Sequence, residues 1–164
     1  GMKLFLIRHA EAIDYETETV RSDDYRFITP KGRKVSSAVF RALKDNMSEL
    51  DKVFTSPLIR AVQTAEILAV NLKFKHDVEI VNELLMNSSV SKVSQLLKRN
   101  TVFNTVALVG HEPMMSLLVA GLSDRKNLNF QFRKSGVCYI EYDPDNETGT
   151  FGWFYNPKTS EFIK

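Results

Sequence analysis

Three short apolar runs constrain this chain more than any other feature, because each has the length of a strand and each stops abruptly at polar residues. They read LFLI into Arg8-His9, KVFT into Ser56-Pro57 and VALV into Gly110-His111. Between and beyond them lie helical patterns. Thr29 suits an N-cap and Pro30 a first helical turn, with apolar positions recurring at Val35, Val39 and Leu43. Ser56-Pro57 opens a second helix running to about Leu72, with Ala61, Ala65, Leu68 and Ala69 on one face. Val90–Lys98 and Glu112–Leu122 read as two more. Strands alternating with helices predict an α/β fold, a three-layer α/β/α sandwich around a mostly parallel central sheet. Val78–Val81 reads as an edge strand. Val137–Tyr142 and Thr150–Tyr155, joined by the turn-rich segment from Asp143 to Gly149, read as an antiparallel hairpin on one side. The stretch from Glu11 to Asp24 is expected to be a surface loop, and the tail after Pro157 to be loosely held.

A chain of 164 residues fits one domain spanning residues 1–164, with Gly1 ahead of Met2 read as the remnant of a cleaved expression tag. The formal net charge of +2 is too small to argue for nucleic acid or an anionic membrane surface as a partner. The lone Cys138 excludes an intrachain disulfide and suits a reducing, cytoplasmic location. Leu4–Ile7 is far too short to cross a bilayer and runs straight into Arg8, so it reads as a buried strand rather than a signal peptide. A soluble monomer or weak oligomer is the expectation.

Open α/β sheets bind ligands at the carboxyl ends of their strands. If the three strands lie side by side, Arg8, His9, His111 and the helix start after Ser56 converge there. Arg60, about one turn into that helix, can reach back toward its N-terminus. Two imidazoles and two guanidinium groups around one opening suit a dianionic group, since guanidinium forks match phosphate oxygens. Taken singly, each has a bland reading: a histidine in a polar loop, or an arginine on a solvated surface. Other candidates weigh less. His76 reads as exposed and inert, and Cys138 as a small core residue. Ser56 reads as a helix cap, because no Gly-x-Ser-x-Gly elbow surrounds it. Three scattered histidines make a poor zinc site. Phe130, Phe132, Trp153 and Phe154 read as core residues of the C-terminal strand region.

The order of these pieces resembles the histidine phosphatase superfamily. Its Arg-His-Gly or Arg-His-Ala signature stands here as Ile7-Arg8-His9-Ala10. The likeness continues through Ser56-Pro57-Leu58-Ile59-Arg60-Ala61-Val62-Gln63-Thr64-Ala65-Glu66 and Asn82-Glu83-Leu84 to Val109-Gly110-His111-Glu112-Pro113. Ala10, the Ser22-Asp23…Arg26…Thr29…Gly32 run and the Gly-His-x-Pro form are similar to the short bacterial phosphohistidine phosphatase (SixA) branch. The match runs from Lys3 to about Met115, and four ordered motifs are specific where one Arg-His pair is not.

The resemblance implies that His9 is the nucleophile and takes the phosphoryl group as a phosphohistidine. It implies that Arg8 and Arg60 grip the phosphoryl oxygens, that His111 adds a third donor, and that no metal or cofactor takes part. His9 must then be neutral, with one ring nitrogen donating to a fixed acceptor and the other facing phosphorus. Glu83 matches the family's leaving-group acid, although nearby arginines oppose its protonation. A phosphohistidine substrate eases that tension, since imidazole is a weakly basic leaving group. Only about 27 residues separate Glu83 from His111, enough for one helix and one strand and too few for a lid. An open site favours a phosphorylated protein as substrate, a histidine-phosphotransfer domain being one such partner. The alternatives are a phosphatase of small phosphate esters and a non-catalytic phosphate-binding module. Arg26 and Ser22–Asp24 either line the mouth or merely hold their loop.

Overall fold

The computed structural model describes residues 1–14, 20 and 22–164. Its strands are β1 (Met2–Arg8), β2 (Lys52–Thr55), β3 (Glu79–Ile80), β4 (Thr105–Gly110), β5 (Val137–Asp143), β6 (Thr148–Asn156) and β7 (Glu161–Ile163). The helices are α1 (Pro30–Ala42), α2 (Ile59–Leu72), α3 (Val90–Lys98) and α4 (Met114–Leu122). Part of the expected Glu11–Asp24 loop, positions 15–19 and 21, lies outside the described residues. No described helix is long and apolar enough to cross a membrane.

All seven strands form one sheet in the order β3-β2-β4-β1-β5-β6-β7. β1 is its hinge. On one side it pairs in parallel with β4, and β4 with β2 and β2 with β3 continue in parallel. On the other side β5, β6 and β7 are antiparallel. The α/β sandwich is as expected, but the sheet is mixed, with a larger antiparallel part than a hairpin. The tail accounts for the difference: instead of hanging loose it adds β7, pairing Phe154 with Ile163 and Tyr155 with Phe162. The Phe162 ring meets Trp153 and Tyr155, each at 5.0 Å between centroids, which ties the strand down.

Successive side chains of β1 point to opposite faces, and both faces are covered. Leu4 and Leu6 pack with Val93 and Leu97 of α3 and Met115, Leu118 and Val119 of α4. Phe5 and Ile7 pack with Val39 and Phe40 of α1 and Ala61, Ala65 and Leu68 of α2. Burial on both sides is why the first run is apolar without alternation. Phe132 and Phe154 are buried as expected, although Phe130 and Phe132 lie in an irregular segment before β5 rather than in a strand. Phe130 stacks on Phe154 at 4.3 Å and Phe132 meets it edge-on at 5.0 Å.

Two details set the edge where the strands end. The register puts Arg8 beside Gly110 and Thr55 beside Val109, so β1, β4 and β2 finish flush. At α1, the Thr29 hydroxyl accepts from Gly32 N (2.9 Å) and donates to Glu11 Oε2 (2.6 Å), the expected cap with an added tether. A Cβ at Gly32 would lie 2.4 Å from the Glu11 carbonyl oxygen, so only glycine lets the helix start against the chain leaving β1.

Candidate active site

The flush strand ends bring the sequence-predicted histidines together. His9 N donates to Gly110 O at 2.9 Å and Ser56 N to Val109 O at 3.0 Å, extending the sheet by one step on each side of β4. The rings of His9 and His111 stand 5.1 Å apart, centroid to centroid. Both are buried, as is Arg60, which is only 2% exposed; Arg8 is half-buried.

His9 Nδ1 lies 2.7 Å from the carbonyl oxygen of Ala10. A carbonyl can only accept, so the proton sits on Nδ1 and the Nε2 lone pair is left free. Burial is the main force holding this imidazole neutral, bringing its pKa down to about 3. The Ala10 bond opposes that shift, while His111, Arg60 and Arg8 reinforce it. His111 is brought down to about 4, again chiefly by burial, with Arg60 and Arg8 lowering it further and Asp23 opposing.

His111 Nε2 lies 2.7 Å from Ser56 Oγ. Ser56 Oγ accepts from Leu58 N at 3.2 Å, and no other acceptor for its own proton lies within reach among the described residues. The network is satisfied when Ser56 donates to Nε2 and His111 carries its proton on Nδ1. Ser56 is therefore more than the helix cap expected of it. The N-cap of α2 is Leu58, whose position has no side-chain capping bond, and the serine's main partner lies 55 residues away.

The four buried side-chain polar atoms without a partner among the described residues are Nε of Arg8, Nε of Arg60, Nδ1 of His111 and Ser88 Oγ. Three of them are N–H donors of the predicted anion-binding residues. Buried donors cost about 1–3 kcal/mol each when left unpaired, so such a cluster marks a place built for an acceptor. The remaining donors hold the arginines in place. Arg8 Nη1 donates to Phe132 O at 2.9 Å. Arg60 donates through Nη1 to Asp23 O (2.8 Å) and through Nη2 to Asp23 Oδ2 (2.9 Å). Asp23 in turn accepts from Arg26 at 2.9 Å. Burial works against that carboxylate, but bonds and charges from Arg26 and Arg60 hold it below the ordinary carboxyl range. Asp23 thus lies against Arg60, while Arg26, which also donates to Ile13 O at 2.6 Å, holds the loop.

Glu83 has different company. It sits in a short 3-10 turn after β3, and its Oε2 accepts from Arg99 Nη2 at 2.9 Å. No hydrogen bond joins it to His9, Arg8, Arg60 or His111 among the described residues. Sequence reasoning also passed over positions that hold the site together. Thr64 Oγ1 accepts from Ala10 N (3.0 Å) and donates to Arg60 O (2.8 Å), Gln63 accepts from Ile28 N (2.8 Å), and Ser135 N donates to the carbonyls of Arg8 (3.1 Å) and His9 (3.2 Å). The signal for the first two was their place one turn beyond Arg60 on α2. Ser135 carries no such signal.

This geometry agrees with what the chain is similar to. It is 29% identical over 165 residues to the phosphohistidine phosphatase SixA of Escherichia coli (strain K12), covering 99% of each chain. The structure of the protein histidine phosphatase SixA complexed with tungstate superposes with a TM-score of 0.87 at 28% identity, covering 98% of this chain and 100% of that one. A phosphoglycerate mutase from Bacillus anthracis str. Sterne, only 15% identical, shares the fold with a TM-score of 0.68 over 92% of this chain and 91% of that one. The model of the histidine phosphatase superfamily (branch 1) matches residues 4–85, half of the chain, from β1 through the turn bearing Glu83. With its Arg-His strand end, its α2 arginine and its second buried histidine, the chain belongs to the histidine phosphatase superfamily.

Proposed function

We propose that this protein is a phosphatase that forms a phosphohistidine intermediate on His9 and removes phosphoryl groups from phosphohistidine carried by another protein. The observation that carries this reading is the placement of the His9 ring: buried, 5.1 Å from the ring of His111, with Nδ1 2.7 Å from the Ala10 carbonyl so that Nε2 keeps its lone pair. A binding module has no use for a nitrogen kept unprotonated beside two arginines; a nucleophile requires it.

In the first step the Nε2 lone pair of His9 bonds to phosphorus as the phosphorus–nitrogen bond of the substrate breaks. The bonding pair leaves with the substrate imidazole, which takes up a proton from solvent water. Phosphorylation makes the His9 ring cationic, and the Nδ1–H bond to Ala10 O stabilises that charge. In the second step water attacks phosphorus, the pair returns to Nε2, and inorganic phosphate leaves. Arg8, Arg60 and the Nδ1–H of His111 hold the phosphoryl oxygens throughout, where charge gathers in the transition state. The related SixA is solved with tungstate, an oxyanion, which supports an oxyanion site in a chain of this fold. Glu83 enters the proposal as leaving-group acid only for substrates with basic leaving groups, since its carboxylate is paired with Arg99.

The test is chemical trapping. Incubation with a phosphohistidine protein and acid-free denaturation should capture phosphate on His9, and His9→Ala should lose both the label and turnover while keeping its circular dichroism. Full turnover by that variant, or activity on small phosphate esters far above that on phosphohistidine proteins, would overturn the reading.

A further inference from the structure

Beside the phosphoryl site, and bounded at one end by Arg8 and Glu112, lies an open cleft of about 950 Å³. Its floor is apolar, from Val35, Leu128, Phe130 and Phe132. Its walls are cationic: Lys31 from the first turn of α1, Arg133 and Lys134 from the segment before β5, and Lys158 from the turn between β6 and β7. None of these four has an ion-pair partner among the described residues. The two carboxylates lining the cleft are already engaged. Glu112 accepts from Ser116 N (2.7 Å) and Ser116 Oγ (2.6 Å), and Glu11 from the Thr29 hydroxyl (2.6 Å). The chain as a whole carries a formal net charge of only +2, so unpaired cations gathered in one cleft are a local feature rather than a reflection of composition.

We propose that this cleft docks an acidic segment of the phosphorylated protein, holding it while the phosphoryl group enters past Arg8; the proposal rests on the phosphoprotein reading of the site. Cations spread over three separate elements above an aromatic and aliphatic floor match an extended stretch that mixes Asp or Glu with apolar side chains. A single phosphate would need its donors converging on one point, whereas these cations stand on three different segments. Charge complementarity of this kind raises association rates and selects partners, and it weakens with salt. Substrate choice would then be made in the cleft, and the chemistry at His9.

The experiment uses the full chain and the triple variant Lys31→Glu/Lys134→Glu/Lys158→Glu, whose positions are all exposed. Binding of a fluorescein-labelled, unphosphorylated peptide rich in Asp and Leu is read by anisotropy, independently of catalysis. Turnover is read on two phosphohistidine peptides, one flanked by Asp and one by Lys, and on para-nitrophenyl phosphate. The native protein should bind the acidic peptide, prefer the Asp-flanked substrate by about tenfold in kcat/KM and lose that preference in high salt. The triple variant should lose binding and preference while para-nitrophenyl phosphate turnover stays within about twofold. Equal binding by the two proteins, or an unchanged preference, would overturn the proposal. So would a rise in KM for para-nitrophenyl phosphate in the triple variant without any peptide binding by the native protein, which would assign the cleft to small phosphates. Peptide binding without any turnover would leave the groove standing and refute the phosphatase reading instead.

Discussion

The parallel and antiparallel halves of the sheet share β1, yet they contribute different things to the site. Parallel pairing sends the carboxyl ends of β1, β4 and β2 to one edge, so three turn residues far apart in the chain, His9, His111 and Ser56, become neighbours. Antiparallel pairing alternates strand direction and delivers to that edge the β6–β7 turn and, next to His9, the connection of residues 128–136. That connection carries no reacting group. Its backbone holds the strand end bearing His9 in place, through Ser135 N to the carbonyls of Arg8 and His9 and Phe132 O to Arg8. One half supplies reactivity and the other supplies rigidity.

This division can be broken from either side. Arg60→Ala should lower kcat/KM by about 10³-fold, as loss of a transition-state charge partner does, with a shift of only a few degrees in thermal midpoint. Steady-state kinetics and a melting curve decide it; unfolding in place of inactivation would erase the distinction. Phe154→Ala should do the reverse. It removes a fully buried ring that stacks on Phe130, at a cost of about 3–5 kcal/mol in chemical denaturation, while activity per folded molecule is kept.

A third test sharpens the contrast through pH. His9 and His111 have folded pKa values of about 3 and about 4, both below the ordinary 6.5. The unfolded chain therefore binds protons that the folded one refuses. The stability these neutral rings confer is complete above pH 6.5 and falls as pH drops toward 4, by at most about 1.4 kcal/mol per pH unit for each histidine. Denaturation at pH 7 and pH 5 should show this loss, and His9→Asn/His111→Asn should flatten it. The smallest effect is expected from Ser56→Ala, about tenfold in kcat/KM, because His111 loses the donor that fixes its proton on Nδ1. Ring nitrogen NMR shifts should report the changed tautomer, and Ser56→Thr should restore both signal and rate. An unaltered His111 spectrum in the alanine variant would refute the assignment.

Much of the parallel half was legible in the residues. A strand buried on both faces must be apolar throughout, so LFLI, KVFT and VALV announced themselves, and Thr29-Pro30 marked α1 through capping chemistry. What stayed hidden depends on partners distant in sequence. Nothing local to Ser56 says that its hydroxyl meets His111, and nothing near Glu83 says that Arg99, one helix later, takes its carboxylate. The three residues of β7 are too short to show alternation, and they become a strand only because β6 offers an open edge and Trp153 and Tyr155 receive Phe162.

The Thr64 hydroxyl touches both the backbone beside His9, at Ala10, and the backbone of Arg60. A single oxygen atom thus works like a dowel between the loop leaving β1 and the second turn of α2. A shift of that helix turn is therefore passed to the backbone beside His9, and the strand end and the helix bearing Arg60 stay in step.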